Sequence, residues 1–225
     1  MELTAISDAL ARVPLFASLN DADRRTLAAR VRTRRFTSGE TLFHRGDPAA
    51  HLYVLATGTA KITLPDEYGK EAVIALLRPG EVFGELALFD DAPRSATVVA
   101  VNDVECLLVG RDDFLSLLER APQAMREVLR QLARTLRRST DRVEDLVFLD
   151  VPSRVAKSLL DLSEVNGAAA EIELTQDDLA AMVGATRVSV NRVLASLEQR
   201  GIIKVARRRV AVLDRERLAR EVRYQ

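Results

Sequence analysis

The chain has 225 residues, with 33 acidic and 33 basic side chains, 48% hydrophobic and 29% charged residues; this is the composition of a folded globular protein of one large or two small domains. No apolar run approaches the ~18 residues that span a bilayer, and the first residues lack a charged-then-apolar leader, so a cytoplasmic chain with no membrane partner is expected. One cysteine, Cys106, and two histidines, His44 and His51, exclude an intrachain disulfide and a cysteine-ligated iron–sulfur cluster, and argue against any metal or haem site.

From Ile6 to Val31 apolar residues recur at mostly helical spacing, broken by Pro14 and by an Asn20-Asp21 helix start, which predicts short leading helices. Between Thr33 and Arg111 the pattern changes to short β-prone runs, among them Glu40–His44, Leu52–Leu55, Lys61–Leu64 and Val73–Leu77. Turns are expected at Gly39, Gly46, Gly58, Gly69 and Gly80, so the region predicts a β barrel or sandwich. His44 is expected as a structural residue of a strand, and Cys106, inside the apolar run Val104–Val109, as a buried strand residue.

Within this region the stretch FGELALFDDAPRSATV, Phe83 to Val98, joins a glycine turn, a lone acid and an Arg-Ser pair in an apolar setting. A sugar phosphate needs a planar cation, and Arg94 offers that fork beside the Ser95 hydroxyl and free backbone N–H groups. Glu85, an acceptor, suits a ribose hydroxyl, and Asp-Asp-Ala-Pro forms a loop over the ligand. The same residues also fit a surface turn in which Arg94 pairs with Glu85 or Asp91 and Gly84 bends a strand.

After Pro122 the period is helical until Pro152, a helix of roughly thirty residues. Along it Met125, Leu129, Leu132, Leu136, Ser139, Val143 and Leu146 alternate in steps of four and three, the a/d spacing of a coiled coil, so the helix is expected to pair with its twin. Ser139 interrupts the apolar seam and Thr140 follows it, placing two hydroxyls at the expected interface.

Asp150-Val151-Pro152 marks a hinge into a new helix. Thr175 caps the next helix with Asp178 three residues on, and Gly184 ends it. Thr186 caps a further helix whose apolar face is Val190, Val193, Leu194 and Leu197, with Gly201 as the stop. Its opposite face carries Arg187, Val188, Ser189, Asn191 and Arg192, where the second helix of a helix-turn-helix meets the major groove. Ile202–Val205 and Val210–Leu213 flank Ala206-Arg207-Arg208-Arg209 as a wing whose tip, Arg208, meets phosphate. From Ala185 to Gln225 there are eleven Lys and Arg against four Asp and Glu, so this end suits an anionic partner.

The cassette, the segment LVFLDVPSRVAKSLLDL and the segment LTQDDLAAMVGATRVSVNRVLASLEQRGII together resemble the CRP/FNR family of bacterial transcription regulators over nearly the full chain. The resemblance implies an α+β protein: an N-terminal cyclic-nucleotide-binding β jelly-roll over residues 1–120, a long dimerisation helix and hinge over 121–150, and a C-terminal winged helix-turn-helix over 151–225. It implies that Glu85 holds the ribose 2′-hydroxyl, that Arg94 and Ser95 hold the cyclic phosphate, and that the Gly84 backbone and Leu86 line the site. Ser139 and Thr140 match the positions that hydrogen-bond adenine, the first from its own subunit and the second from the partner.

The function so implied is a homodimer, allosterically activated by cyclic AMP, that binds double-stranded DNA through Thr186, Arg187, Val188, Ser189, Asn191, Arg192 and Arg208, and that engages RNA polymerase. Where cyclic-AMP-responsive members commonly carry Arg-Glu, this chain has Arg187-Val188. Valine accepts no hydrogen bond from cytosine but packs on a thymine methyl, so the operator is expected to relate to TGTGA and its inverted TCACA with an altered inner base. A ligand-independent relative, one that answers to cyclic GMP or another effector, and a regulatory module of an enzyme are the alternatives. No Ser-His-Asp grouping, metal spacing or Walker loop is visible, so no enzyme is expected.

Overall fold

The structure is a computed structural model that describes residues 2–65, 71–166 and 171–224; the turn expected at Gly69 lies outside the described residues. The described residues fall into two compact units, the first within 1–70 and 74–135, the second within 71–73 and 136–225.

The first unit opens with three short helices, α1 Leu3–Ala11, α2 Pro14–Ala17 and α3 Asp21–Ala28. Pro14 occupies the first turn of α2, where its missing N–H is harmless, and the Asn20 side chain accepts from the Asp23 N–H to cap α3. Strands β1 Arg32–Phe36, β2 Thr41–Phe43, β3 His51–Thr57, β4 Ala60–Pro65, β5 Glu71–Leu77, β6 Val82–Phe83, β7 Thr97–Ala100 and β8 Val104–Gly110 follow, with α4 Leu86–Phe89 between β6 and β7 and α5 Arg111–Arg120 after β8. They form two four-stranded sheets in the orders β1-β8-β3-β6 and β2-β7-β4-β5.

The two sheets share one core. Phe36, Phe43, Tyr53, Leu55, Phe83, Val98, Cys106 and Leu108, drawn from both, are buried together. The intervening residues of β3 and β8, Leu52, Val54, Leu107 and Val109, face the other way and pack with the leading helices, α5 and the start of the long helix. Successive strand side chains point to opposite faces, so a strand buried on both sides reads as the unbroken apolar run seen at Leu52–Leu55. Cys106 is fully buried and its thiol is pushed up to about 12 by burial, with Glu105 adding to the rise. His44 lies one residue beyond β2 and is exposed, not inside a strand.

Helix α6 runs Pro122–Phe148, 27 residues, with its first part in the first unit and the part from Leu136 in the second. It stops short of Pro152 because the Asp150 carboxylate accepts from the Ser153 N–H at 2.9 Å and starts α7, Val151–Asn166. Beyond it come β9 Ile172–Glu173, α8 Gln176–Val183, α9 Arg187–Gln199, β10 Ile203–Ala206, β11 Arg209–Val212 and α10 Arg215–Ala219. Thr175 and Thr186 cap α8 and α9 through their hydroxyls, and Gly184 ends α8 at φ 64°, the left-handed conformation that favours glycine. Val155, Leu159, Leu179, Val190, Leu194 and Ile202 pack between α7, α8, α9 and the sheet β10-β11-β9.

Candidate ligand pocket and nucleic-acid interface

Gly84 follows β6 at φ 78° and turns the chain into α4, with Glu85 as the residue before the helix. Arg94, ten residues on, is 4% exposed. Its Nη1 donates to the Gly84 carbonyl at 2.5 Å and its Nη2 to the His51 carbonyl at 2.6 Å. The guanidinium lies 4.4 Å from the Phe43 ring centroid and 5.5 Å from that of Tyr53, and Phe83 stacks on Tyr53 at 5.3 Å. The surface-turn alternative is therefore excluded: Arg94 is interior, and Asp91 pairs instead with Arg111.

Electrostatics here run against the buried charges. Burial is the largest influence on both groups: it raises Glu85 above the usual carboxylate range and lowers Arg94, while each partly offsets the other's shift. The Nε of Arg94 is buried with no hydrogen-bond partner. Such a donor is costly to leave unpaired, by about 1–3 kcal/mol. Gly84, Glu85 and Arg94 are thus brought together. Ser95 and Leu86 are exposed and line an adjoining cleft of about 310 Å³ with Phe89, Pro93 and Leu132.

Ser139 and Thr140 belong to the second unit, and the Thr140 hydroxyl donates to the Leu136 carbonyl at 3.1 Å. The heptad seam beside them is uncovered in the single chain: Leu129, Leu136, Val143 and Leu146 are 58%, 69%, 61% and 51% exposed. Leu132 is the exception, packed partly against the first unit's core.

On α9 the expected reading face is only partly open. Thr186, Arg187, Val188 and Arg192 are exposed, whereas Ser189 and Asn191 are half-buried. Ser189 Oγ lies 3.0 Å from Thr186 Oγ, and Asn191 Oδ1 is buried without a partner. Arg187 makes an exposed ion pair with Asp177 at 3.1 Å, a contact of the kind that contributes little in water. The wing turns at Arg207-Arg208, with Arg208 at φ 60°, and Ala206 pairs with Arg209 across it. A groove of about 320 Å³ runs between α8, α9 and the wing, lined by Gln176, Arg187, Arg207, Arg208 and Arg209 among others. Arg209 is held by Glu171 at 2.8 Å and Glu173 at 3.5 Å.

Comparison with known proteins accounts for both halves. A Cyclic nucleotide-binding domain model matches residues 33–121, and a Crp-like helix-turn-helix domain model matches residues 153–221. The chain is 35% identical over 224 residues to the CRP-like cAMP-activated global transcriptional regulator of Mycobacterium tuberculosis, covering 97% of this chain and 100% of that protein. The chain belongs to the CRP/FNR family. That family comprises transcription regulators and not enzymes.

Solved CRP/FNR structures agree with the fold. The catabolite activator protein of Thermus thermophilus is 33% identical, with TM-score 0.54, covering 93% of this chain and 98% of that one. The c-di-GMP-responsive global regulator CLP of Xanthomonas campestris is 25% identical, with TM-score 0.74, covering 86% and 99%. For this CRP/FNR chain the buried donor tests the fit of a cyclic nucleotide. A phosphate oxygen would supply the acceptor that Arg94 Nε lacks, and its charge would oppose the desolvation acting on the guanidinium. Sequence reasoning missed the aromatic wall of Phe43, Tyr53 and Phe83 and the His51 carbonyl. The three rings lie in short apolar runs, which mark core and pocket alike, and a main-chain carbonyl leaves no mark in the sequence. No helix among the described residues is long and apolar enough to cross a membrane.

Proposed function

We propose that this CRP/FNR chain is a homodimeric DNA-binding transcription regulator activated by cyclic AMP. The observation that carries the effector is Arg94: a buried guanidinium with one N–H unpaired, beside a glycine whose backbone approaches it. Arg94 and Ser95 hold the cyclic phosphate, Glu85 the ribose 2′-hydroxyl, and Gly84 and Leu86 flank the ligand. The uncovered seam supports dimerisation through α6, since an apolar stripe at heptad spacing is stable in water when a second copy covers it.

In the dimer the adenine base bridges Ser139 of one protomer and Thr140 of the partner subunit, so nucleotide binding favours one mutual arrangement of the helices. Coupling of this kind amounts to about 1–3 kcal/mol in allosteric proteins and requires unequal contacts in the two states. The two α9 helices then meet successive major grooves of a two-fold operator related to TGTGA and TCACA. Arg187 and Arg192 favour guanines, Val188 packs on a thymine methyl at the altered inner base, Thr186, Ser189 and Asn191 support this face, and Arg208 meets phosphate. The assigned segments are 1–120 for the nucleotide, 121–150 for dimerisation and 151–225 for DNA. A cytoplasmic protein that contacts RNA polymerase follows from this role.

Calorimetric titration with cyclic AMP and cyclic GMP, with and without the operator duplex, tests the reading. Tighter cyclic AMP binding in the presence of the duplex is expected. Duplex binding with neither nucleotide bound overturns the effector. The response of the Xanthomonas campestris relative to c-di-GMP makes that dinucleotide the next titrant.

A further inference from the structure

The C-terminal segment returns to the junction between α6 and α7 and is tied there at several points. Leu149 and Tyr224 form an antiparallel bridge. Ser153, 2% exposed in the first turn of α7, donates through Oγ to the Glu221 carbonyl at 3.2 Å and accepts from the Arg223 N–H at 3.1 Å. Lys157 of α7 pairs with Asp145 of α6 at 2.5 Å.

The same segment grips the far end of α9. The Glu221 carboxylate accepts from both Nη atoms of Arg200, at 2.8 and 2.5 Å, and Arg200 is the residue that closes α9. Arg217, in α10, donates to the Arg200 carbonyl at 3.0 Å, and Leu218 beside it is fully buried. Glu221 is held below the usual carboxylate range, first by its hydrogen bond from Arg200. A planar two-point pair fixes direction as well as distance, which a single-point contact does not. On the other side Arg154 of α7 donates to the Val183 carbonyl at the end of α8 and to the Leu149 carbonyl at the end of α6, both at 2.8 Å.

We propose that the segment from Asp214 to Tyr224 is a clamp that sets the orientation of α9 relative to the α6–α7 junction, with Glu221 and Ser153 as positioning residues for DNA reading. Neither lies on the reading face. The clamp gives rotation at the end of α6 a rigid path to the C-terminal end of α9, while Arg154 supplies the path to α8. Its last three described residues, Val222, Arg223 and Tyr224, lie beyond the segment matched by the helix-turn-helix family. The role in DNA reading rests on the function proposed above; the mechanical link rests on these contacts alone.

The test uses the full chain with Glu221→Ala and Ser153→Ala, each checked for a cooperative melt. At saturating cyclic AMP, operator affinity is expected to fall about tenfold, while affinity for a random duplex and for cyclic AMP stays within about twofold. Unchanged operator affinity, or equal loss on both duplexes, overturns the positioning role. Hydrogen exchange is measured on the same variants without DNA. Faster exchange in the last turn of α9 and the first turn of α7 supports the clamp, and a change confined to residues after Arg220 overturns it. If the wild type binds no operator, the proposed function fails by itself and the exchange data decide the clamp.

Discussion

Arg94 fills the space that a side chain on Gly84 would need: Nη1 of Arg94 donates to the Gly84 carbonyl at 2.5 Å, and a β-carbon on Gly84 would lie 2.5 Å from that same nitrogen. Glycine here permits both the backbone turn and the approach of the cation.

Gly84→Ala is accordingly expected to displace Arg94 and to strain a backbone at φ 78°. The conformational part costs about 1–2 kcal/mol of stability. Cyclic AMP affinity should fall by at least about tenfold in calorimetry, and DNA binding without nucleotide should be unchanged. Wild-type nucleotide affinity in this variant removes Gly84 from the site.

Arg94→Leu should abolish nucleotide binding, and it also leaves the Gly84 and His51 carbonyls without their donor. A stability loss of about 1–3 kcal/mol is therefore expected in denaturant titration. Arg94→Lys keeps the charge but lacks the planar fork, and should recover only a small part of the affinity. Undiminished binding in the leucine variant refutes the assignment.

Glu85 carries a pH signature. Burial raises its folded-state pKa above the ordinary 4.5, so its contribution to stability is present below that value and is lost as pH rises through the raised pKa. Glu85→Gln, which does not ionise, should melt higher than wild type at about pH 7.5, with the gap closing towards about pH 4. A constant difference across that range would show that the carboxylate is not desolvated. The same variant should bind cyclic AMP more weakly.

Leu136 is the most exposed of the large apolar residues on α6, at 69%. Leu136→Asp places a carboxylate in the proposed seam, where an unpaired buried charge costs several kcal/mol, and should raise the dimer dissociation constant by about 100-fold or more. Sedimentation should show wild-type dimers and variant monomers at the same loading. Monomeric wild type overturns the seam.

Arg192 and Arg208 separate base reading from phosphate contact. Arg192→Ala should cost about 1–3 kcal/mol on the operator and relax one base position, with little loss on random DNA. Arg208→Ala should weaken both duplexes alike and reduce the salt slope by about one. Exchanged behaviour in a salt-dependent binding series reverses the two assignments.

Local sequence determined much of this protein because the forces involved act within a few residues. Asn20, Thr175 and Thr186 cap their helices through bonds three residues long, Gly184 ends α8 because its φ is positive, and the heptad of α6 persists over the 27-residue helix. Short β-prone runs located β3, β4 and β5 and pointed to a β barrel or sandwich, while the full α+β architecture was legible through the family resemblance. Other elements depend on partners distant in the chain. Arg32–Phe36, rich in arginine, becomes a strand because β8 pairs with it, and Ile172–Glu173 because β11 does. Tertiary structure alone decided that Arg94 is interior, with its guanidinium against the Phe43 and Tyr53 rings of β2 and β3, and that Ser189 and Asn191 are half-buried on a helix face the periodicity marks as open. Burial and desolvation are set by what packs from elsewhere, and no window of neighbouring residues contains that information.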